Sequence, residues 1–171
     1  MEIWDLYDEN RSIIGEHIRG TELPENGFHL VVHVWIKNHA GQYLMTQRSA
    51  NKRTFPLLWE CVGGSAFKGE TGIQSAVREV QEEIGLCLRP EDGHLLCTKI
   101  RKTIGGKRYN DIVEVWLFRH DGDIPLANAT TDEVAQARWM TVDEIRNLKQ
   151  NHELVYSIKD LNYFFDEMEP Q

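Results

Sequence analysis

Basic charge, long apolar runs and sulfur are all scarce in this chain of 171 residues, and each shortage excludes something. Lys and Arg number 19 against 27 Asp and Glu, a formal net charge of −8. No broad basic surface is evident, which argues against general nucleic-acid binding. The charge serves solubility, and an anionic ligand would need local cations or a bridging metal to bind. No apolar run approaches the length of a membrane span, so no membrane partner is expected. The opening MEIWDLYDE is acidic and lacks the basic-then-apolar order of a secretion signal. Only Cys61, Cys87 and Cys97 carry thiols; they are odd in number and have no metal-ligand spacing. A reduced, cytoplasmic protein is the expectation. Repeats, low-complexity tracts and obvious linkers are also missing, and 41% hydrophobic content over this length suits one domain with a substantial core.

What is present is a concentration of acid on one predicted helix. Glu79, Glu82 and Glu83 stand at i, i+3 and i+4, positions that share a helix face. Like charges so placed repel, so either a cation sits against them or the face is simply solvated. A hard divalent metal with oxygen ligands is the natural cation. Ile73, Ala76, Val77, Val80 and Ile84 form an apolar stripe at helical spacing. At about 100° per residue the acids centre ~110–120° around from it, so the helix can bury one side and show carboxylates to a cleft. Thr71 is the expected N-cap and Gly85 the C-terminal stop. Gly63, Gly64 and Gly69 precede the helix and let the backbone approach a ligand closely. Arg78 can pair with Glu82 one turn on or reach back to Glu70.

The order of these residues resembles the Nudix box, G-x5-E-x7-R-E-U-x-E-E-x-G-U, where U is aliphatic. Gly64, Glu70, Arg78, Glu79, Val80, Glu82, Glu83, Gly85 and Leu86 fill its defined positions across residues 64–86. The resemblance implies an α/β fold of Nudix type, an α/β/α sandwich with a mixed β-sheet between helices, spanning residues 1–171 as one domain. It implies Mg²⁺ (or Mn²⁺) chemistry on a small-molecule diphosphate. Glu79, Glu82 and Glu83 carry over as metal ligands and catalytic groups, and Glu70 with Arg78 as a supporting pair. Backbone groups of Gly63 and Gly64 are expected to line the substrate and the metal shell.

Elsewhere the pattern alternates strands and turns. Residues 2–8 read as a strand, followed by a glycine turn within RSIIGEHIRG, the whole of 1–27 forming an N-terminal extension. Residues 28–37 and 42–48 read as a hairpin around NHAG, and 95–104 and 112–120 as two strands joined across Gly105 and Gly106. A short strand is expected at 137–141, then C-terminal helices at 142–149, with Thr141 and Glu144 as a capping box, and at about 153–167. The N-terminal strand, with Trp4 and Tyr7, could reach a ligand or mediate a homodimer.

Arg48 and Lys52, four apart beside the glycine loop, suit phosphate oxygens, Arg bidentately and Lys as a point charge. Gln47, Arg48, Lys52, Pro56 and Trp59 are similar to a Q-R-x3-K-x-x-x-P-x-x-W pattern in the isopentenyl-diphosphate isomerase branch of the same superfamily, where the Arg and Lys contact the substrate diphosphate. His29 matches a metal-ligating histidine of that branch. The branch's cysteine position is Gly63, its following histidine is Ser65, Glu22 replaces another metal histidine, and Ile112 replaces a catalytic-region glutamate. Cys61, two residues from Gly63, is no simple substitute. The scaffold is therefore shared and the isomerisation chemistry dismantled. Glu114, on a predicted strand, is either a further catalytic ligand or base, or an outward-facing residue. Asp111, Asp132 and Glu133 are further candidates for the base. His29 and His33 share a strand face, which more often reflects structure than a site. Hydrolysis of a diphosphate linkage in a nucleoside diphosphate derivative or related organic diphosphate is the expected function. Isomerase-like activity and a non-catalytic nucleotide sensor are the alternatives.

Overall fold

The computed structural model describes residues 2–104 and 106–155. Strands β1 (Ile3–Tyr7) and β2 (Ile13–Ile18) form a separate antiparallel hairpin. The expected glycine turn is instead strand: Gly15 sits opposite Leu6, and the chain reverses at Asp8–Ser12. There the Asp8 carboxylate accepts from the amides of Asn10 and Ser12, both at 2.9 Å, which fixes the turn one segment earlier than the glycine suggested.

The main sheet has seven strands. They are β3 (His29–Lys37), β4 (Tyr43–Arg48), β5 (Trp59–Glu60), β6 (Val62–Ser65), β7 (His94–Ile104), β8 (Lys107–Arg119) and β9 (Val134–Met140). The order runs β5-β4-β3-β8-β7, with β6 also on β3 and β9 on β4. β3 runs parallel to β8 over His29–Lys37 and antiparallel to its other neighbours, so the sheet is mixed. The β3–β4 hairpin pairs only at Lys37 and Tyr43 beside its turn; further along, β6 takes the edge of β3 from Val31 to Val34.

Both faces of the sheet are covered, which explains the near-continuous apolar run of β3. Helix α1 (Gly72–Ile84) packs Ala76, Val80 and Ile84 on Val32, Val34, Ile36 and Phe118. On the opposite face Trp35, Tyr43, Met45 and Val115 pack with Ile145 of helix α2 (Val142–Gln150). The Thr141–Glu144 capping box expected for α2 is present. The last expected helix does not begin at 153: Leu154 forms a parallel bridge with Trp59, and positions 156–167 lie outside the described residues. Among the described residues, no helix is long and apolar enough to cross a membrane.

Candidate functional site

Helix α1 begins where Thr71 caps the Gln74 amide and the Gln74 side chain returns to the Thr71 amide, and it ends at Gly85 in the left-handed conformation. These ends fix the register of the three glutamates. The loop before it is pinned from two directions. The Gly69 amide donates to Asp5 of β1 at 2.7 Å, and the Phe67 amide donates to Glu70 at 2.8 Å.

Arg78 is the hub. Its Nε and Nη2 bind Glu70 at 2.8 and 3.0 Å, and Nη2 also donates to the Ser65 carbonyl at 3.0 Å. Its Nη1 reaches both Glu79 at 2.9 Å and Glu82 at 3.0 Å. Both partners anticipated from the sequence are thus engaged at once, and Glu79 is added. Partial burial works upward on Glu70, but the bonds from Arg78 and the Phe67 amide outweigh it and hold its pKa below the usual carboxylate value.

The three box glutamates differ in surroundings. Glu82 is partly open to solvent, Glu79 is mostly enclosed, and Glu83 is 6% exposed. Glu83 is the most enclosed of the three because it lies beside Val80 and Ile84 of the apolar stripe. Among the described residues the Glu83 carboxylate has no hydrogen bond and no ion pair. Burial, reinforced by Glu60, Glu79 and Glu133, drives its pKa well above the carboxylate range; Lys52 works the other way. Burial likewise pushes Glu79 up to about 7, against Arg78 and with Glu82 and Glu133. A buried carboxylate in an acidic field without a partner calls for a cation.

A cleft of about 240 Å³ opens over these groups, lined by Glu79, Glu82 and Glu83 together with Gly63, Gly64, Arg48 and Lys52. The structure thus brings the box acids and the two expected cations together. Arg48 is bound to Glu60 at 2.6 Å and to the Thr54 carbonyl at 3.0 Å; Lys52 is bound to Glu133 at 2.5 Å. Among the described residues, no three acid, His or Cys side chains are already converged as a ligand set, since Glu79 and Glu82 are turned onto Arg78. The oxygen-only donor set suits Mg²⁺ or Mn²⁺.

Gly63 is required by close packing, and Gly64 leaves the room that the Glu79 carboxylate takes. A Cβ at Gly64 would overlap the Glu79 carboxylate, and a Cβ at Gly63 would overlap the Val32 carbonyl oxygen across the β3–β6 pair. Cysteine at 63 does not fit this backbone. Cys61 is 3% exposed within the core, and burial raises its thiol pKa well above the ordinary value.

Several candidates lie elsewhere. Glu114 is buried against Gly72 at the start of α1, where it accepts from Arg11 and from Trp116 Nε1. Asp111 accepts from Nε and Nη2 of Arg101, at 2.8 and 2.6 Å. Asp132 is exposed and outside the cleft wall. His29 stacks on Trp4 at 4.3 Å and borders a second cavity of about 440 Å³ with Glu22 and Tyr109. His33 is buried on the sheet, and that burial lowers its pKa to about 3. Glu2 and Arg19, an ion pair at 2.5 Å from the N-terminal hairpin, and Thr131 join the cleft wall without a signal in the sequence, because only the folded hairpin and loop deliver them there.

Comparison with known proteins follows the same lines. The NUDIX domain family matches residues 27–161. A Listeria monocytogenes protein described as an uncharacterized Nudix hydrolase is 37% identical over 157 residues, covering 91% of this chain and 89% of its own. An isopentenyl-diphosphate delta-isomerase of Mycolicibacterium vanbaalenii is 28% identical over 153 residues, covering 82% of this chain and 77% of its own. The crystal structure of DR0079 from Deinococcus radiodurans superposes with a TM-score of 0.72 at 22% identity, over 94% of this chain and 96% of that one, a likeness of fold.

Proposed function

The chain belongs to the Nudix hydrolase family, and on that premise we propose that it is a divalent-metal-dependent hydrolase that cleaves the diphosphate linkage of a nucleoside diphosphate derivative or related organic diphosphate. One observation carries the reading: the Glu83 carboxylate, buried and without a partner among the described residues, lines a cleft that also bears Arg48 and Lys52.

Glu79, Glu82 and Glu83 would hold Mg²⁺ or Mn²⁺, with the Gly63 and Gly64 backbone beside them. When bound, such an ion neutralises diphosphate charge and polarises the bridging bond. Arg48 and Lys52 bind the outer phosphate oxygens and offset charge on the leaving phosphate. Glu70 fixes the guanidinium of Arg78, and Arg78 in turn sets the positions of Glu79 and Glu82. Glu114, committed to Arg11 and Trp116, is left out of this machinery. The isomerase reading is not adopted, because position 63 has no room for a thiol-bearing side chain.

The test is a panel of sugar nucleotides, dinucleotides, nucleoside di- and triphosphates and prenyl diphosphates, assayed for phosphate or nucleoside-monophosphate release with Mg²⁺, Mn²⁺ or chelator. Turnover that needs metal, and that falls at least a hundredfold in folded Glu82→Gln or Glu83→Gln, is the expected result. Metal-independent turnover, or both variants as active as the parent, would overturn the reading.

A further inference from the structure

The base that activates water has no place in the reading above, and one carboxylate is built into position for it. Among the candidates outside the box helix, Asp111 and Glu114 are each bound by an arginine and Asp132 stands outside the cleft, whereas Glu133 lines it. Its segment is docked on the end of α1. The amides of Thr130 and Thr131, at 2.9 and 3.2 Å, and the Thr131 hydroxyl all donate to the carbonyl of Glu82. From the other side the Ser49 amide donates to the Glu133 carbonyl at 2.8 Å. The Glu133 backbone is therefore held between the helix that carries the box acids and the end of β4 and the turn after it, which carry Arg48 and Lys52. Glu133 shares the cleft wall with Glu79 and Glu83, and its charge adds a little to the upward pull on both.

In this arrangement the Glu133 carboxylate is occupied by Lys52, Nζ to Oε2 at 2.5 Å. A lysine ammonium is a compact charge on a flexible stem, so it exchanges one anion for another. Arg48 is more enclosed, and its planar fork can keep Glu60 while still offering N–H groups to phosphate. The three donors of Lys52 share one nitrogen and one compact charge, so a phosphate oxygen that engages it competes directly with the Glu133 carboxylate.

We propose that Glu133 is the general base and that Lys52 masks it until a substrate phosphate draws the ammonium away; this rests on the hydrolase reading. In the step, a water oxygen bonds to phosphorus as the bond from phosphorus to the bridging oxygen breaks. The leaving phosphate departs with that electron pair. One water proton passes to the Glu133 carboxylate and then to solvent. The group that recognises phosphate is thus the one that uncovers the base.

Two measurements test this, and the first needs no turnover. The full chain is titrated with inorganic pyrophosphate in Mg²⁺, and the Lys52 ¹⁵Nζ and Glu133 ¹³Cδ resonances are followed, assigned with Lys52→Arg and Glu133→Gln. Both signals are expected to move together, and Glu133→Gln is expected to bind pyrophosphate at least threefold more tightly because its Lys52 is already free. Failure of pyrophosphate to bind, or an unmoved Lys52 signal, overturns the exchange. The second takes the best substrate of the panel. Glu133→Gln should lower kcat roughly 10²–10⁴-fold, Glu133→Asp should retain more of it, and Mn²⁺ affinity should stay within threefold in both. A kcat within tenfold of the parent in Glu133→Gln, or a tenfold loss of Mn²⁺ affinity, marks Glu133 as something other than the base. If no compound of the panel is hydrolysed, the hydrolase reading fails, while the pyrophosphate titration still decides the exchange of Lys52.

Discussion

The carboxylate of Glu79 occupies the space that a side chain at Gly64 would fill. The loop glycine and the helix glutamate thus meet in space, although they are separated in sequence by the connection from β6 to α1 and the first two turns of the helix. Gly64→Ala is expected to push Glu79 off its position, to lower stability by about 1–3 kcal/mol as overpacking does, and to weaken Mn²⁺ binding at least tenfold. Calorimetric titration with Mn²⁺ checks it; unchanged affinity in a folded variant would contradict the steric link.

Arg78 serves three carboxylates, and a lysine ammonium cannot reproduce its fork. Arg78→Ala should lose about 3 kcal/mol, since the mostly enclosed partners are left uncompensated. Arg78→Lys should recover less than half of that. Chemical denaturation of the metal-free protein reads the difference, and a lysine variant as stable as the parent would show that charge alone suffices.

Metal-free protein should lose stability as pH rises from about 4.5 to about 7. Burial raises the folded-state pKa of Glu79 to about 7, from 4.5 unfolded. The stability due to its neutral form is complete below the unfolded value and is lost as pH passes the folded one. Glu79→Gln should flatten that fall, visible as a shallower dependence of Tm on pH in chelator. Mn²⁺ should bind with release of protons near neutral pH. Parallel pH dependences in the parent and Glu79→Gln would count against the assignment.

Glu114→Gln should act on stability before activity. Its carboxylate bridges Arg11 of the N-terminal turn and Trp116, at the foot of α1. A loss of about 1–2 kcal/mol is expected, moderated because Arg11 is half exposed, with kcat within threefold. A hundredfold fall in kcat without loss of fold would return Glu114 to the catalytic groups.

The box helix, its caps and the strand pattern were legible because each depends on local chemistry: Thr71 and Gly85 mark the ends, and the apolar stripe marks the buried side. Arg48 and Lys52 were legible through their spacing beside the glycine loop. The rest depended on pairings distant in sequence. Gly15 reads as a turn until Asp8 is seen to take the amides of residues 10 and 12. Glu114 reads as a site residue until Arg11, over a hundred positions away, claims it. Arg19 and Glu133 reach the cleft only through the hairpin and the docked loop. Glu83 stands seven positions after Ala76, about 20° around the helix from it, so its burial at the edge of the apolar stripe follows from its own angle and is concealed only when the three acids are averaged as one face.

The loop at residues 130–131 hangs from the Glu82 carbonyl chiefly by its own amides. Amide anchors are indifferent to side-chain identity. Exchanging side chains along this stretch would therefore alter what the far wall presents without shifting where it stands. Such a wall is a natural place for an enzyme lineage to trade one substrate for another while the metal-facing helix stays untouched.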